Sequence, residues 1–408
     1  MDILFIHQNM PAQFKHLAPA LAARKGMRVR FLTRREDIML KGVERVTYAA
    51  PGGAGPATHP YLKQFEAAVR SGQQVARALL AMKKDGFDPA VVIGHPGWGE
   101  LLYVKDVFPR ASLISYAEFF YSGTGADVGF DPAQPWNIDV AARARTRNAH
   151  LLLSLQAADY GLAPTEWQKS RHPAEMQRKI RRIFDGIDTR QVAPRADASF
   201  TLDNGRVLTA ADEVVTYIAR NFEPYRGYPS FMRAVPHLLA ARPKAQLVMV
   251  GGDEVSYGAA PPGGGSWRDA MAREVDLAAF ADRVHVLGRV PYARHLSLLQ
   301  ISSAHVYLTV PFVLSWSAVE AMGCGCAVIA SDTAPVQELV QHGANGWLVP
   351  FFDPPAIAAQ VAEVLANRED PAVRRVREAA RQTVLGEWAL TNCLPRQLAL
   401  VQDAIDRR

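Results

Sequence analysis

Two arginines six positions apart, in Arg220-Asn221-Phe222-Glu223-Pro224-Tyr225-Arg226-Gly227, follow the apolar run 214–219. Guanidinium groups at one strand end can clamp a diphosphate through bidentate hydrogen bonds and offset charge on a leaving group. The same pair in a loop also reads as a solvated surface feature. Further on, Pro311-Phe312-Val313-Leu314-Ser315-Trp316-Ser317-Ala318-Val319-Glu320 follows a second apolar run, 305–310. Ser315 or Ser317 would open a helix whose unpaired N–H groups suit a phosphate, with Glu320 in its first turn. Ser317-x-x-Glu320 equally fits a capping box, in which Glu320 closes on the Ser317 N–H. In the first half, His95 stands in Gly94-His95-Pro96-Gly97-Trp98-Gly99-Glu100, a glycine-rich turn where a histidine satisfied by backbone is the plain structural reading.

Strands must deliver these turns, and the apolar pattern supplies them. Short β-rich runs at 3–7, 28–32, 90–94, 112–116, 160–163 and 180–184 alternate with amphipathic stretches such as 13–24 and 61–83. The alternation pauses over 185–212, which is rich in turn formers. It restarts with strands at 214–219, 247–251, 284–287, 305–310, 327–330 and 347–349. The helix 229–241 places Pro229 in its first turn and Phe231, Val235, Leu238 and Leu239 on one face. Strand and helix in alternation mean parallel sheets covered by helices. The expected fold is α/β, with two doubly wound Rossmann-like domains facing each other across a cleft and ligands at the strands' C-terminal ends. The domains are expected at 1–190 and 213–388, joined by a linker at 191–212. A C-terminal helix would occupy 389–408. The loop 258–266, Gly-Ala-Ala-Pro-Pro-Gly-Gly-Gly-Ser, reads as a surface insertion or as a mobile flap over the site.

Several chemistries are disfavoured. The first strand-to-helix turn, 7–13, contains no glycine, whereas a dinucleotide fingerprint needs glycines for close approach to a pyrophosphate. No phosphate-loop motif, nucleophile elbow or H-E-x-x-H occurs. The 408 residues are 49% hydrophobic and 21% charged, a globular balance, and the formal charge of +6 is mild, with no module for nucleic acid. Three cysteines, Cys324, Cys326 and Cys393, have no zinc-site spacing and are given no chemistry. Together with an acid at position 2 and no ~20-residue apolar stretch, they suggest a cytoplasmic protein. Six basic residues over 169–182 read as a solvated helix face, with contact to an anionic lipid-linked acceptor or the inner membrane face as the alternative.

The ordered set Arg220…Arg226-Gly227, Leu287-Gly288-Arg289-Val290, Glu320-Ala321-Met322-Gly323-Cys324-Gly325 and Val328-Ile329-Ala330-Ser331-Asp332 resembles the donor half of retaining family-4 glycosyltransferases of the GT-B arrangement. Asp185-Gly186-Ile187-Asp188 is similar to that family's interdomain link, and Phe352-Asp353-Pro354 and Ala163-Pro164-Thr165-Glu166-Trp167 extend the likeness. The resemblance implies transfer of a sugar from a nucleoside-diphosphate sugar to a hydroxyl acceptor, needing no metal and no separate cofactor. Arg220 and Arg226, the latter in place of the family's lysine, would grip the diphosphate. Glu320 would hold the ribose and the Gly288–Val290 backbone the base. N–H groups of Leu314, Ser315, Trp316 and Ser317 would lie beside the phosphates or sugar. His95 would face the donor sugar, with Asn9, Glu118, Asp127 and the aromatic run 119–121 on the acceptor side. The C-terminal helix would return to the first domain. One position departs: Phe312 stands where the family carries a glutamate beside the donor sugar. Rival readings are an epimerase or phosphorylase on the same architecture, or a nucleotide-sugar-binding protein that transfers nothing.

Overall fold

Branched and aromatic apolar runs become the strands of two parallel sheets, and both faces of the central strands are buried, as helix-covered parallel sheets require. The computed structural model describes residues 1–134 and 136–407. They form two units, residues 1–186 with 391–407, and Ile187–Leu390.

The first unit holds β1 (Asp2–Ile6), β2 (Arg28–Thr33), β3 (Val43–Thr47), β4 (Pro89–Gly94), β5 (Ser112–Tyr116), β6 (Tyr160–Ala163) and β7 (Ile180–Arg182). They lie in the order β3-β2-β1-β4-β5-β6-β7, every neighbouring pair parallel. The helix Lys63–Lys84 buries Ala68, Gly72, Val75, Leu79 and Met82, a 3.6-residue stripe. A Cβ on Gly72 would stand 2.8 Å from the Gly99 carbonyl, so this glycine lets the helix lie against the His95 turn. The helix Leu390–Asp406 closes the same unit. Its Leu400, Val401 and Ala404 join Ile3, Phe5 and Ile114 in one core cluster. The Ser112 hydroxyl donates to the Ala404 carbonyl at 2.6 Å.

The second unit begins with an antiparallel hairpin, β8 (Ser199–Thr201) and β9 (Val207–Thr209). Its sheet comprises β10 (Val214–Asn221), β11 (Gln246–Gly252), β12 (Val284–Val286), β13 (Ala304–Tyr307), β14 (Val328–Ser331) and β15 (Trp347–Val349). The order is β12-β11-β10-β13-β14-β15, again all parallel. Helix Tyr228–Ala241 buries the four residues its pattern predicts, and Phe231 stacks on Tyr217 at 4.7 Å.

Both sheets reverse their winding direction beside one strand: β1 sits between β2 and β4, and β10 between β11 and β13. The crevices at these points, at the strands' C-terminal ends, are where doubly wound sheets take ligands.

Four expectations need correction. Residues 191–212 are not a bare linker, because they contain the β8–β9 hairpin. The edge strand β3 carries Glu44 and Arg45 and leaves only Val43 buried, which hides it from a hydrophobic scan. The stretch 13–24 divides into a 3-10 turn, Ala12–Phe14, and a short helix, Leu17–Ala22. The basic run 169–182 is not one helix face. It spans the helices Glu166–Ser170 and Ala174–Gln177 and strand β7, and its Lys179 ammonium is tied to the carbonyls of Gln156 and Ala158. Among the described residues no helix is long and apolar enough to cross a membrane.

Candidate functional site

At the second reversal point β10 stays buried through Ile218 and then emerges, leaving the Arg220 side chain exposed. Asn221 remains buried, bonding the Ser256 hydroxyl at 2.6 Å and accepting from Arg289 Nη2 at 3.0 Å. The chain then turns through a 3-10 segment, Pro224–Arg226, closed by Gly227 at φ +67°. A Cβ on Gly227 would stand 2.4 Å from Leu308 Cβ, so only glycine fits. This turn sends Arg226 inward. Its Nη1 donates to the Tyr307 hydroxyl at 3.2 Å, the Thr309 hydroxyl at 2.9 Å and the Val313 carbonyl at 3.0 Å. The arginine pair is therefore unequal: Arg220 is open to solvent, while Arg226 is buried with one nitrogen committed to the protein. Both lie near the Tyr257 ring, with Cζ atoms 5.9 and 5.5 Å from its centroid. Tyr257 in turn packs on Phe312 at 5.1 Å, and Tyr225 meets Phe312 edge-on at 5.4 Å.

The near end of the glycine-rich loop is anchored. The backbone N–H groups of Ser256, Tyr257 and Gly258 all donate to Glu223 Oε2, at 3.3, 3.0 and 3.1 Å. At its far end Ser266 caps the helix Trp267–Glu274, and the Trp267 indole N–H donates to the Ala259 carbonyl.

Helix Trp316–Gly323 is capped by Ser315, whose hydroxyl accepts from the Ser317 N–H. This excludes the Ser317–Glu320 capping box and puts Glu320 beyond the first turn. The Ser315 N–H donates to the Tyr307 hydroxyl at 2.8 Å, so two of the amides expected at a phosphate, those of Ser315 and Ser317, already have acceptors. Glu320 is buried. Its carboxylate accepts from the Tyr292 hydroxyl at 2.8 Å and pairs with His295 Nε2 at 3.0 Å. Burial and the adjacent carboxylate push the Tyr292 phenol well above its ordinary range, so it stays a donor. Tyr292 and His295 are neighbours on the helix Tyr292–Gln300 and stack at 5.7 Å. Gly288, at φ +63°, accepts from the Gly251 N–H, and the half-buried Val290 leads into that helix. The Arg289 side chain pairs with Glu254.

At the first reversal point His95 is buried among rings: His7 at 5.2 Å, Trp98 at 5.2 Å and Tyr116 stacked at 5.5 Å. Its Nδ1 accepts from the Gly97 N–H at 3.0 Å, which assigns the proton to Nε2, facing Glu118 Oε2 at 3.3 Å. Glu118 Oε1 also accepts from Gln13 at 3.2 Å. The structure thus unites His95 with Glu118. The exposed Asn9 gives its backbone N–H to His7 Nδ1. Phe119 is core, while Tyr121 lies under the Arg147 guanidinium at 3.8 Å. Behind Trp98, Glu100 is buried, accepting from the Trp98 N–H, and burial pushes its carboxyl up to about 7.

Sequence reasoning missed Glu223, Tyr257, Tyr292 and His295. A usable signal existed for three of them: an acid between the paired arginines, and a tyrosine and histidine three apart at a helix start. Among the described residues no group of three or more His, Cys, Asp or Glu side chains could hold a metal ion.

Residues 25–192 match the model described as glycosyl transferase family 4 group, and residues 203–383 match that of glycosyl transferases group 1. The chain belongs to the family-4 type of glycosyltransferase. Among its relatives, a phosphatidyl-myo-inositol mannosyltransferase of Mycolicibacterium smegmatis is 30% identical over 218 residues, 52% of this chain and 49% of that protein. A D-inositol 3-phosphate glycosyltransferase of Mycolicibacterium vanbaalenii is 27% identical over 314 residues, 68% and 64% respectively. The chain thus spans about half to two thirds of the length of those relatives. Among solved structures, sucrose-phosphate synthase of Thermosynechococcus elongatus aligns over 100% of both chains, with a TM-score of 0.71 and 19% identity. Anabaena Alr3699/HepE, solved with UDP and glucose, aligns over 99% of this chain and 100% of its own, with a TM-score of 0.66 and 15% identity. The chain therefore has the GT-B type of fold.

Proposed function

We propose that this glycosyltransferase retains anomeric configuration while moving a sugar from a nucleoside-diphosphate sugar, held on the second unit, to a hydroxyl acceptor. The observations that carry the reading are the Arg220 and Arg226 guanidiniums, both beside the Tyr257 ring after β10, and the buried Glu320 carboxylate on the helix after β13, fixed by Tyr292 and His295. In this reading the arginines stabilise the departing diphosphate, Glu320 accepts from the ribose hydroxyls and the Gly288–Val290 backbone meets the base. Preorganised cations at a leaving group lower the barrier without reorganisation, so the reaction asks for no metal. With delivery on the same face, the leaving phosphate takes the acceptor's proton. Tyr257 must shift from the guanidiniums to admit the diphosphate. A relative named as a GDP-mannose-dependent mannosyltransferase, 26% identical over 221 residues, supports a sugar nucleotide as donor.

Phe312 favours a second reading, a protein that binds a sugar nucleotide and transfers nothing, because it removes the carboxylate usual beside the sugar. Calorimetry with UDP, GDP, UDP-glucose and GDP-mannose tests the site: Arg220→Ala and Glu320→Ala must each weaken whichever nucleotide binds. If both bind it unchanged, the donor site is misplaced. Slow hydrolysis of the bound sugar nucleotide in EDTA separates the metal-free enzyme from the silent binder.

A further inference from the structure

Glu223 has no solvent exposure, and its two oxygens are treated differently. Oε2 accepts the three N–H groups of Ser256, Tyr257 and Gly258, while Oε1 is buried with no hydrogen-bond partner. Leaving a buried carboxylate oxygen without a protein donor is costly, and such a group marks a place where a donor arrives. The surroundings say which donor. Glu223 lies within electrostatic reach of Arg226, and the loop it anchors carries Tyr257, the ring beside both guanidiniums. Tyr257 also touches Phe312, the residue standing where the family resemblance puts a carboxylate beside the donor sugar. A buried acceptor therefore sits by the same aromatic wall where the resemblance puts a carboxylate.

We infer that Glu223 is the sugar-reading carboxylate of this enzyme, its Oε1 accepting a hydrogen bond from a hydroxyl of the donor's sugar. The inference rests on the donor reading above. The ligand it specifies is a nucleoside-diphosphate sugar with a free ring hydroxyl next to the diphosphate. Anchoring by three N–H groups holds Oε1 in place before the sugar arrives, so the contact discriminates between sugars and adds nothing to the grip on the nucleotide.

Glu223→Gln isolates this role, because an amide oxygen can keep the three N–H bonds while an NH2 donor replaces Oε1. Calorimetry compares wild type and variant on UDP, UDP-glucose, GDP and GDP-mannose. The expected result is nucleoside-diphosphate affinity within about twofold of wild type, and a loss of about tenfold to a hundredfold for the matching sugar nucleotide. Single-deoxy sugar nucleotides complete the cycle: one deoxy position should weaken binding by a similar factor in wild type and by nothing in the variant. Equal weakening of nucleotide and sugar nucleotide would reduce Glu223 to a loop anchor and overturn the inference, as would a deoxy penalty that persists in the variant. If circular dichroism finds Glu223→Gln unfolded, Glu223→Asp takes its place, with the same selective loss expected. Wild type that binds none of the four probes removes the donor reading itself, an outcome separate from all of these.

Discussion

At the end of β4 the polar groups are arranged in a stack of rings, His7, His95, Trp98 and Tyr116, with a single histidine–carboxylate pair to Glu118. At the end of β10 they are ions, two guanidiniums and the carboxylates of Glu223 and Glu320, each carboxylate held by neighbouring donors. The two sheets share strand order around the reversal and all-parallel pairing, so topology places both clusters and side-chain chemistry distinguishes them. Fixed charge suits a phosphorylated ligand; an aromatic-walled histidine suits a sugar ring and its hydroxyls.

The sharpest way to break this division is Arg220→Ala against His95→Ala. Removing Arg220 is expected to lower kcat/KM about 100- to 1,000-fold with weaker nucleotide binding, the scale of one lost charge-stabilising donor. His95→Ala should lower kcat and leave the nucleotide Kd within about twofold. Similar nucleotide losses from both would erase the contrast.

Next in size is a pH effect confined to the first unit. Glu100 has its carboxyl raised by burial from 4.5 to about 7. Its protonated form therefore supports the fold fully below pH 4.5, and that support declines as pH rises and is gone above about 7. Glu100→Gln should raise the melting temperature at pH 8 but not at pH 4.5, worth roughly 1–3 kcal/mol at the higher pH. An equal shift at both pH values would show that Glu100 is already ionised.

In the second unit, His295→Ala should weaken nucleotide binding about tenfold by freeing Glu320, with Tyr292 retaining part of its hold. His295→Gln should recover much of this through its amide N–H, and failure of that rescue would give the histidine a purely packing role. The smallest effect belongs to Arg289→Ala. Its ion pair with Glu254 is exposed, so stability should change by less than about 1 kcal/mol and nucleotide Kd by less than about threefold. A larger loss would move base recognition from the Gly288–Val290 backbone to this side chain.

The fold was legible because its signals are local. The central strands are short buried runs of mostly apolar residues, and Arg220 and His95 stand out by type at strand ends. What escaped depended on distance along the chain. Glu223 meets its partners 33 to 35 positions away, Glu320 meets His295 across 25, and Arg226 meets Thr309 across 83. No window of sequence holds those pairs. The basic run 169–182 misled for the opposite reason: local charge suggested one helix face, while Pro173 and the pairing of β7 with β6 divided it among three elements.

The helix Leu390–Asp406 also sets the order in which the molecule can be finished. The ribosome delivers the first unit's sheet early, yet the face of that sheet that receives Leu400, Val401 and Ala404 must wait for some two hundred intervening residues, enough to complete the whole second unit. The unit made first is thus sealed last. A nascent chain halted near Leu390 would carry one finished unit and one with its apolar face still bare, a surface that chaperones recognise.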